Sequence, residues 1–236
     1  MAQITAAIRL IACTVAFGAC SVTASGADDY PRQRSLDPNR VTPQDERNKG
    51  VFDRDYYSRD PEIRNLLRTV EAYHMNPGLQ KIKERRYQAA YEEFDFILRY
   101  YPNHPRALAL MADVCLTMKR QEDGERYFKK ALSLFPDMTR SAKGITEREY
   151  GKLLYRFGEN ARARDMLKQS VSHDDYSGEG HYYLGLAYLA EKDHDHANLH
   201  AQKAYAHKYP LTELRDKLMA ANAWKPDASG KTASQK

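Results

Sequence analysis

The sequence predicts an all-α protein in which helix pairs stack side by side into a solenoid. Three observations lead to this prediction. Apolar residues recur at helical spacing from about residue 61 to residue 209, no stretch alternates apolar and polar residues as a strand does, and matching residues recur every 34 positions. Pro102 and Pro136 are separated by this interval, as are Gly151 and Gly185. A repeat of this length holds two helices, and stacking buries the faces that one pair leaves exposed.

The N-terminal residues have the composition of an export signal. Residues 1–27 carry a single charge, Arg9, followed by an apolar run from Leu10 to Ala19 and then small residues. A run of this length is about half of the roughly 20 residues that a membrane-spanning helix needs. A permanent transmembrane helix is therefore the weaker interpretation, and we expect residues 1–19 to be a signal peptide.

The segment that ends at Cys20 resembles the signal of bacterial lipoproteins, in which small residues precede a cysteine that is lipidated and becomes the new N-terminus. The resemblance implies lipidation of Cys20 and attachment to the outer membrane on its periplasmic side. Cleavage after Ala24 or Ala27 is the alternative, and it would leave a soluble periplasmic protein. Cleavage before Cys20 leaves Cys115 as the one thiol without a partner, and its place in the helical pattern predicts burial.

Residues 20–59 are rich in charge and proline and poor in aliphatic side chains, so they predict a disordered tether. Asp60 and Pro61 are a typical helix start, an aspartate cap followed by a proline at the first helical position, and they predict a helix over residues 60–74. Asn76 and Pro77 repeat this start signal.

The second start signal opens the predicted repeat array, which runs from residue 75 to 210. A capping helix is predicted over residues 211–224, because Leu214, Leu218 and Ala221 form one apolar stripe there and the terminal helix of an array needs a polar outer face. The remaining residues, 225–236, have the composition of a disordered tail.

Small residues recur where the two helices of each predicted pair should cross. The first helices have Gly78, Ala112, Gly151 and Gly185 there, and the second helices have Ala90, Gly124, Ala163 and Ala197. This arrangement resembles the tetratricopeptide repeat, in which helix A, a short turn and helix B are closed by a proline. The third repeat has Asp175 in place of the proline and about five extra residues near 138–143. The resemblance implies an α-solenoid of about four repeats.

The resemblance also implies a concave, partner-binding groove lined by the A helices. Carried onto this chain, the groove residues are Leu79, Ile82, Lys83, Arg106, Asp113, Leu116, Arg148, Lys152, Tyr155, Arg156, Tyr182, Leu186 and Leu189. The third repeat contributes basic and aromatic residues and the fourth apolar ones, which favours an extended or helical peptide with an acidic portion. An ordinary solvated helix face explains the single charged positions equally well.

The sequence has no motif that indicates catalysis or a cofactor. It lacks a glycine-rich phosphate loop, a nucleophile elbow and a Cys-x-x-Cys pair, so we expect a protein that is not an enzyme. The net charge of +5 comes from interleaved basic and acidic residues, which argues against a nucleic-acid partner. His194, His196 and His200 lie close enough in sequence to bind a metal, but a solvated helix face explains them better.

Together these observations predict a non-catalytic scaffold of the bacterial cell envelope that binds another protein or peptide and contacts the membrane only through an N-terminal lipid. At the level of fold and signal the chain resembles repeat lipoproteins such as type IV pilus pilotins. The alternatives are a soluble periplasmic adaptor without lipid and a periplasmic protein that binds metal through the three histidines.

Overall fold

A computed structural model of the chain describes residues 52–226, and within this range its regular elements are helices and not strands. Eight helices form four consecutive pairs and a short ninth helix follows. The helices are α1 (Pro61–Lys83), α2 (Tyr87–Tyr100), α3 (Pro105–Thr117), α4 (Gln121–Leu134), α5 (Arg140–Arg156), α6 (Asn160–His173), α7 (Gly178–Ala190), α8 (His194–Ala206) and α9 (Glu213–Ala220). Helix α3 also packs on α5, and α5 on α7, so the first helices of the second, third and fourth pairs lie side by side. The predicted solenoid of helix pairs is confirmed.

Each pair turns through the same backbone conformation. One residue in every turn is left-handed, with φ of 58° at Arg85, 57° at Lys119, 86° at Gly158 and 63° at Lys192. The N–H of the following residue donates to a carbonyl five residues back, as Arg86 does to Lys81 at 2.9 Å. This bond closes the end of the first helix. The left-handed conformation is less favourable for lysine and arginine by about 1 to 2 kcal/mol of free energy. The turn is therefore held by the packing of the helices and not by its own residues.

In the first and third pairs the first helix approaches the second at a glycine, whereas in the second pair the glycine, Gly124, is on the second helix. A Cβ atom added to Gly78 would lie 2.6 Å from Phe94 Cε1, and one added to Gly151 would lie 2.5 Å from Leu167 Cγ. Such distances are shorter than van der Waals contact, so no other residue fits without displacing its neighbour. The large side chain from the second helix fills the space that the glycine leaves, which confirms the register predicted from the small residues.

The fourth pair closes the same gap in a different way. Ala201 stands at the repeat position of Phe94, Phe128 and Leu167, and alanine is too short to reach Gly185. Leu214 of α9 fills the place instead, because a Cβ atom on Gly185 would lie 2.5 Å from Leu214 Cδ2. Helix α9 is therefore part of the core of the last pair as well as its cover.

The N-terminal end of the array is closed by polar side chains. Glu93 of α2 accepts hydrogen bonds from Lys81 and from His74 of α1, the latter at 2.6 Å. The equivalent residues of the second pair, Leu108, Cys115 and Tyr127, are buried. These charges solvate a face that inner pairs bury against their neighbours, as terminal repeats require. The burial predicted for Cys115 is confirmed, and burial raises the pKa of its thiol to about 12.

The extra residues of the third repeat lengthen its first helix. Helix α5 has 17 residues, whereas α3 and α7 have 13 each. The added turn packs on the end of α6, where Ser170 Oγ donates to the carbonyl oxygen of Gly144 at 2.8 Å. The insertion therefore changes the length of one helix and leaves the crossing of the pair intact.

Helix α1 differs from the predicted boundary between residues 74 and 75. It runs without a break from Pro61 to Lys83, with Pro77 inside it. Proline removes one helical hydrogen bond, the one to the carbonyl of Tyr73. Tyr73 is 72% exposed, so water can replace that bond, and the buried Met75 and Gly78 hold the helix together on the core side.

The predicted tether ends earlier than residue 59, because the segment Phe52–Arg59 packs on the folded domain. The N–H groups of Asp53 and Arg54 donate to the carbonyls of Arg99 at 3.1 Å and Tyr100 at 2.8 Å. These carbonyls belong to the last turn of α2, which has no helical donor for them. The segment thus caps α2.

Aromatic rings hold the same segment in place. Phe52 packs on Tyr100 with 4.8 Å between ring centroids, and Tyr56 on His104 with 4.5 Å. The predicted tether was based on the scarcity of aliphatic residues. It overlooked these aromatic rings, which also bury apolar surface.

The predicted tail also begins later than residue 225. The N–H of Lys225 donates to Asn198 Oδ1 at 2.8 Å, and Trp224 packs on Tyr205. The predicted signal peptide, Cys20, residues 20–51 of the tether and the last ten residues lie outside the described part of the chain. Of the helices between residues 52 and 226, none is long and apolar enough to span a membrane.

Replacing Gly185 by leucine should destabilise the protein by about 1 to 3 kcal/mol or more, because the new side chain overlaps Leu214. For a chain of this size the Tm should fall by about 2 to 4 °C per kcal/mol, which a thermal melt monitored by circular dichroism will measure. Ala190→Leu, at an exposed position of the same helix, is the matched control and should leave the Tm unchanged. An unchanged Tm in Gly185→Leu would contradict the repeat register.

Candidate partner-binding groove

The thirteen predicted groove residues lie on the first helix of each pair, α1, α3, α5 and α7. Eleven of them reach the surface. The exposed ones are Lys83, Arg106, Asp113 and Arg156, and the half-buried ones are Leu79, Ile82, Leu116, Arg148, Lys152, Tyr155 and Leu189. The structure therefore places most of the predicted residues where a partner can touch them.

Tyr182 and Leu186 are the two predicted groove residues that the structure buries. Their exposed fractions are 1% and 4%. Helix α9 packs on α7 at this end of the groove, in the place that the first helix of a fifth pair would occupy. Repeat position alone identified these residues, and it takes no account of the helix that follows the last pair. In this conformation both side chains are almost wholly covered, so neither forms part of the open surface of the groove.

The basic residues of the third repeat are paired within the protein. Lys152 Nζ lies 2.8 Å from Glu149 and 2.7 Å from Glu179. Arg148 lies 3.1 Å from Glu149 and 3.2 Å from Glu179. Burial alone would lower the pKa of Lys152, but the two carboxylates outweigh it and raise that pKa above its usual value.

The third cation, Arg156, forms an ion pair with Asp113 across the groove, from α5 to α3. Both side chains are well exposed, so the pair contributes little to stability, about 1 kcal/mol or less. The pair mainly changes the charge of the groove, because Asp113 neutralises the one cation of the three that Glu149 and Glu179 leave unpaired. The sequence favoured a partner with an acidic portion, and the structure removes the basis for that preference.

The sequence analysis missed three residues on the groove side of the first helices, of which two are half-buried and one, Glu149, is buried. Leu110, Glu149 and Tyr183 occupy one repeat position on α3, α5 and α7. Tyr183 packs edge-on against Tyr155 with ring centroids 6.1 Å apart, and Lys152 Nζ lies 5.4 Å from the centre of its ring. Glu179 could also have been found, because it stands at the repeat position of Arg106.

An apolar stripe remains after the charges are paired. Ile82, Leu116, Tyr155 and Leu189 occupy one repeat position on the four successive first helices, and all four are half-buried. Neighbouring helices in such stacks are about 10 Å apart, so the four side chains form a row about 30 Å long. The groove thus offers a line of evenly spaced apolar contacts beside a neutral network of ion pairs.

The three histidines considered as a metal site do not converge. His196 Nδ1 lies 2.7 Å from Asp193 Oδ2 at the surface, whereas His200 Nδ1 lies 2.9 Å from Nδ1 of His181. Within the described residues, no group of three or more histidine, cysteine, aspartate or glutamate side chains is placed to hold a metal ion. Helical spacing in the sequence gave no information on the side chains that these histidines meet, so the metal-binding alternative is not supported.

The pair formed by His181 and His200 joins α7 to α8 inside the protein. His181 Nε2 lies 3.0 Å from the carbonyl oxygen of Asp175, so this nitrogen donates a hydrogen bond. In the neutral pair His200 Nδ1 therefore donates and His181 Nδ1 accepts. Burial is the main cause that lowers the pKa of both rings, and for His200, which also faces His181, it falls to about 4.

Acid should destabilise the fold through this pair. The folded-state pKa of His200 lies below the unfolded value of about 6.5, so the unfolded chain binds more protons between these values. The contribution of His200 to the free energy of unfolding is fully present above pH 6.5. It should fall by on the order of 2 to 3 kcal/mol as the pH approaches 4. Urea unfolding at pH 7 and pH 4.5 will measure this loss.

Two variants separate this effect from general acid denaturation. His200→Gln keeps a donor for His181 but does not titrate, so its loss of stability between the two pH values should be smaller. His196→Gln, at an exposed position one turn away, should retain the wild-type loss. An equal pH dependence in all three proteins would show that the buried pair is not responsible.

The fold and the groove define a helical-repeat protein of the solenoid class. The sequence profile of the tetratricopeptide repeat family matches residues 78–139 and 150–210, together more than half of the chain. The chain belongs to the tetratricopeptide repeat family. The matched part begins at Gly78 and ends at Pro210, close to the predicted limits of the array.

Solved structures of other repeat proteins have a similar fold. The structure of the MamA protein is 19% identical with a TM-score of 0.50 over 65% of this chain and 82% of that chain. MamA from Desulfovibrio magneticus RS-1 is 16% identical with a TM-score of 0.50 over 65% and 86%. Pseudomonas aeruginosa pilF is 18% identical with a TM-score of 0.53 over 66% and 71%. At this identity the likeness concerns the fold alone. A comparison with curated proteins gave no match.

Proposed function

We propose that this protein is a non-catalytic scaffold of the bacterial cell envelope that binds a segment of another protein in the groove of α1, α3, α5 and α7. Tetratricopeptide repeats typically bind peptides or proteins, and they generally act as scaffolds and not as enzymes. The observation that carries the proposal is the apolar row on the first helices, which lies beside charges already paired within the chain.

The spacing of the row indicates what kind of segment fits it. A helix advances about 10.5 Å in seven residues, so one apolar residue per heptad would meet successive side chains of the row. An extended segment in the polyproline II conformation has three residues per turn and advances about 9 Å in them, so it would meet the row with every third residue. Both forms present a regular apolar stripe. In the third repeat, an acidic stripe would find the cations already paired with Glu149, Glu179 and Asp113.

The proposed place of action is the periplasmic side of the outer membrane, with a lipid on Cys20. The support for this part is the sequence alone: the apolar run from Leu10 to Ala19 followed by small residues and a cysteine. On this proposal the protein resembles pilotin-like repeat lipoproteins in its signal as well as in its fold. Cleavage after Ala24 or Ala27 would give the same scaffold without a lipid.

Lipidation of Cys20 predicts a membrane-bound protein. The intact mass of the protein extracted from membranes should correspond to a chain that starts at Cys20 and carries acyl groups. Cys20→Ser should move the protein to the soluble fraction, whereas Cys115→Ser, which changes a buried thiol, should leave it with the membranes. A mature chain that lacks Cys20 would overturn the lipid proposal and leave the groove proposal untouched.

Groove binding predicts site-specific crosslinking. A photoreactive amino acid at Leu116 or Tyr155 should give the same discrete adduct in native envelopes, because both side chains belong to the apolar row. The same amino acid at Lys168 or Leu199, exposed on the second helices α6 and α8, is the matched control and should not give it. Adducts of equal yield from both faces would contradict the proposal.

The double variant Tyr155→Ala and Arg156→Ala should reduce the yield of the groove adduct by about tenfold, as expected when an aromatic anchor is lost. Its helicity should stay at the wild-type level, because neither side chain is fully buried. Mass spectrometry of the adduct will identify the partner and the part of it that touches the row.

A further inference from the structure

The C-terminal end of the groove contains an open pocket of about 550 Å³ between α7 and α9. Its lining comes from one residue of α7 and from α9 with the loop before it. The lining residues are Tyr182, Leu211, Thr212, Glu213, Asp216, Lys217 and Ala220. The pocket lies beyond the apolar row, at the end where α9 takes the place of a further first helix.

Tyr182 forms one wall of the pocket, and its hydroxyl group is in an unusual environment. The residue is 1% exposed, and its hydroxyl group is buried without a hydrogen-bond partner. Its ring is fixed between Tyr209 at 4.7 Å and Tyr183 at 5.4 Å. A buried hydroxyl without a partner is unfavourable for folding, and phenylalanine would fill the same space without that penalty. A ligand group that hydrogen-bonds to the hydroxyl would account for the tyrosine.

The charges of the lining favour a cation. Glu213 is paired with Lys217 at 2.7 Å, so these two charges balance. Asp216 accepts a hydrogen bond from Thr212 Oγ1 at 2.9 Å, and its nearest cation, Arg215, is 3.8 Å away and does not line the pocket. The lining therefore has two carboxylates against one ammonium group, and the tyrosine rings beside it also attract positive charge.

We infer that this pocket binds the side chain of an arginine or lysine of the partner segment. Leu211 and Ala220 provide apolar contact for the methylene groups, Asp216 faces the charged head, and the Tyr182 oxygen accepts a hydrogen bond from it. The inference rests on the proposed function, because it assigns a basic residue to the end of the segment that the groove holds.

Nuclear magnetic resonance titration of the full chain tests the inference directly. The probes are N-acetyl-L-arginine methylamide and N-acetyl-L-lysine methylamide, with the glutamate and leucine analogues as controls. The basic probes should shift the amide signals of residues 211–220 and bind about fivefold more tightly than either control. Equal binding of all four probes, stronger binding of the glutamate probe, or no shifts at these residues would overturn the inference.

Two variants show whether the named groups act in binding. Tyr182→Phe should raise the Tm, because it removes the unpartnered hydroxyl, and yet weaken the basic probes about fivefold. A purely structural tyrosine would change the Tm without changing the affinity. The double variant Glu213→Gln and Asp216→Asn should lose the preference for basic probes, whereas Glu122→Gln, at an exposed site on α4, should keep it.

The outcomes separate this inference from the proposed function. If the basic probes fail to bind while Leu116 and Tyr155 still give the groove adduct, the pocket assignment is wrong and the scaffold stands. If the probes bind and the groove adduct is absent, the pocket is a separate site for a basic ligand, and the part of the inference that places a partner segment in the groove is overturned.

Discussion

The contact between a glycine on the first helix and a large side chain on the second sets the geometry of the molecule. Phe94 occupies the space next to Gly78, and Leu167 the space next to Gly151. In both places a Cβ atom on the glycine would overlap the larger side chain. This contact fixes the crossing of the first and third pairs. In the second pair Gly124 on the second helix allows the close approach, and in the fourth pair Gly185 lies against the backbone of Ala197 and against Leu214 of α9. A small residue at every crossing keeps the same face of each first helix on the same side. The alignment of Ile82, Leu116, Tyr155 and Leu189 into one row is a direct consequence.

Each end of the array has to cover a helix face that inner pairs bury against a neighbour, and the two ends do so with different kinds of side chain. At the C-terminal end, Ala201 leaves a gap that Leu214 fills, and α9 thereby becomes necessary for the last core. At the N-terminal end, Glu93 and its partners Lys81 and His74 replace apolar residues with ion pairs. The first solution also shapes the surface, because it buries Tyr182 and creates the wall of the pocket.

The period of the sequence predicted the fold and identified the four residues of the apolar row as groove residues, because both depend on repeat position, but it did not single out the row. It did not predict the ion pairs of the groove, since Lys152 and Glu179 are 27 residues apart and meet only when α5 and α7 lie side by side. Pro77 and the Phe52–Arg59 segment were misjudged for a related reason. In both places tertiary contacts outweigh the local preference that the sequence displays.

The polar contacts of His74 and Lys81 with Glu93 also mark the N-terminal end of the array. A further helix pair packed against this end would have to bury these groups, which carries a desolvation cost. One row of four side chains spans about 30 Å, which a helical ligand of about 20 residues covers completely. A longer partner segment would gain no further contact with the row itself.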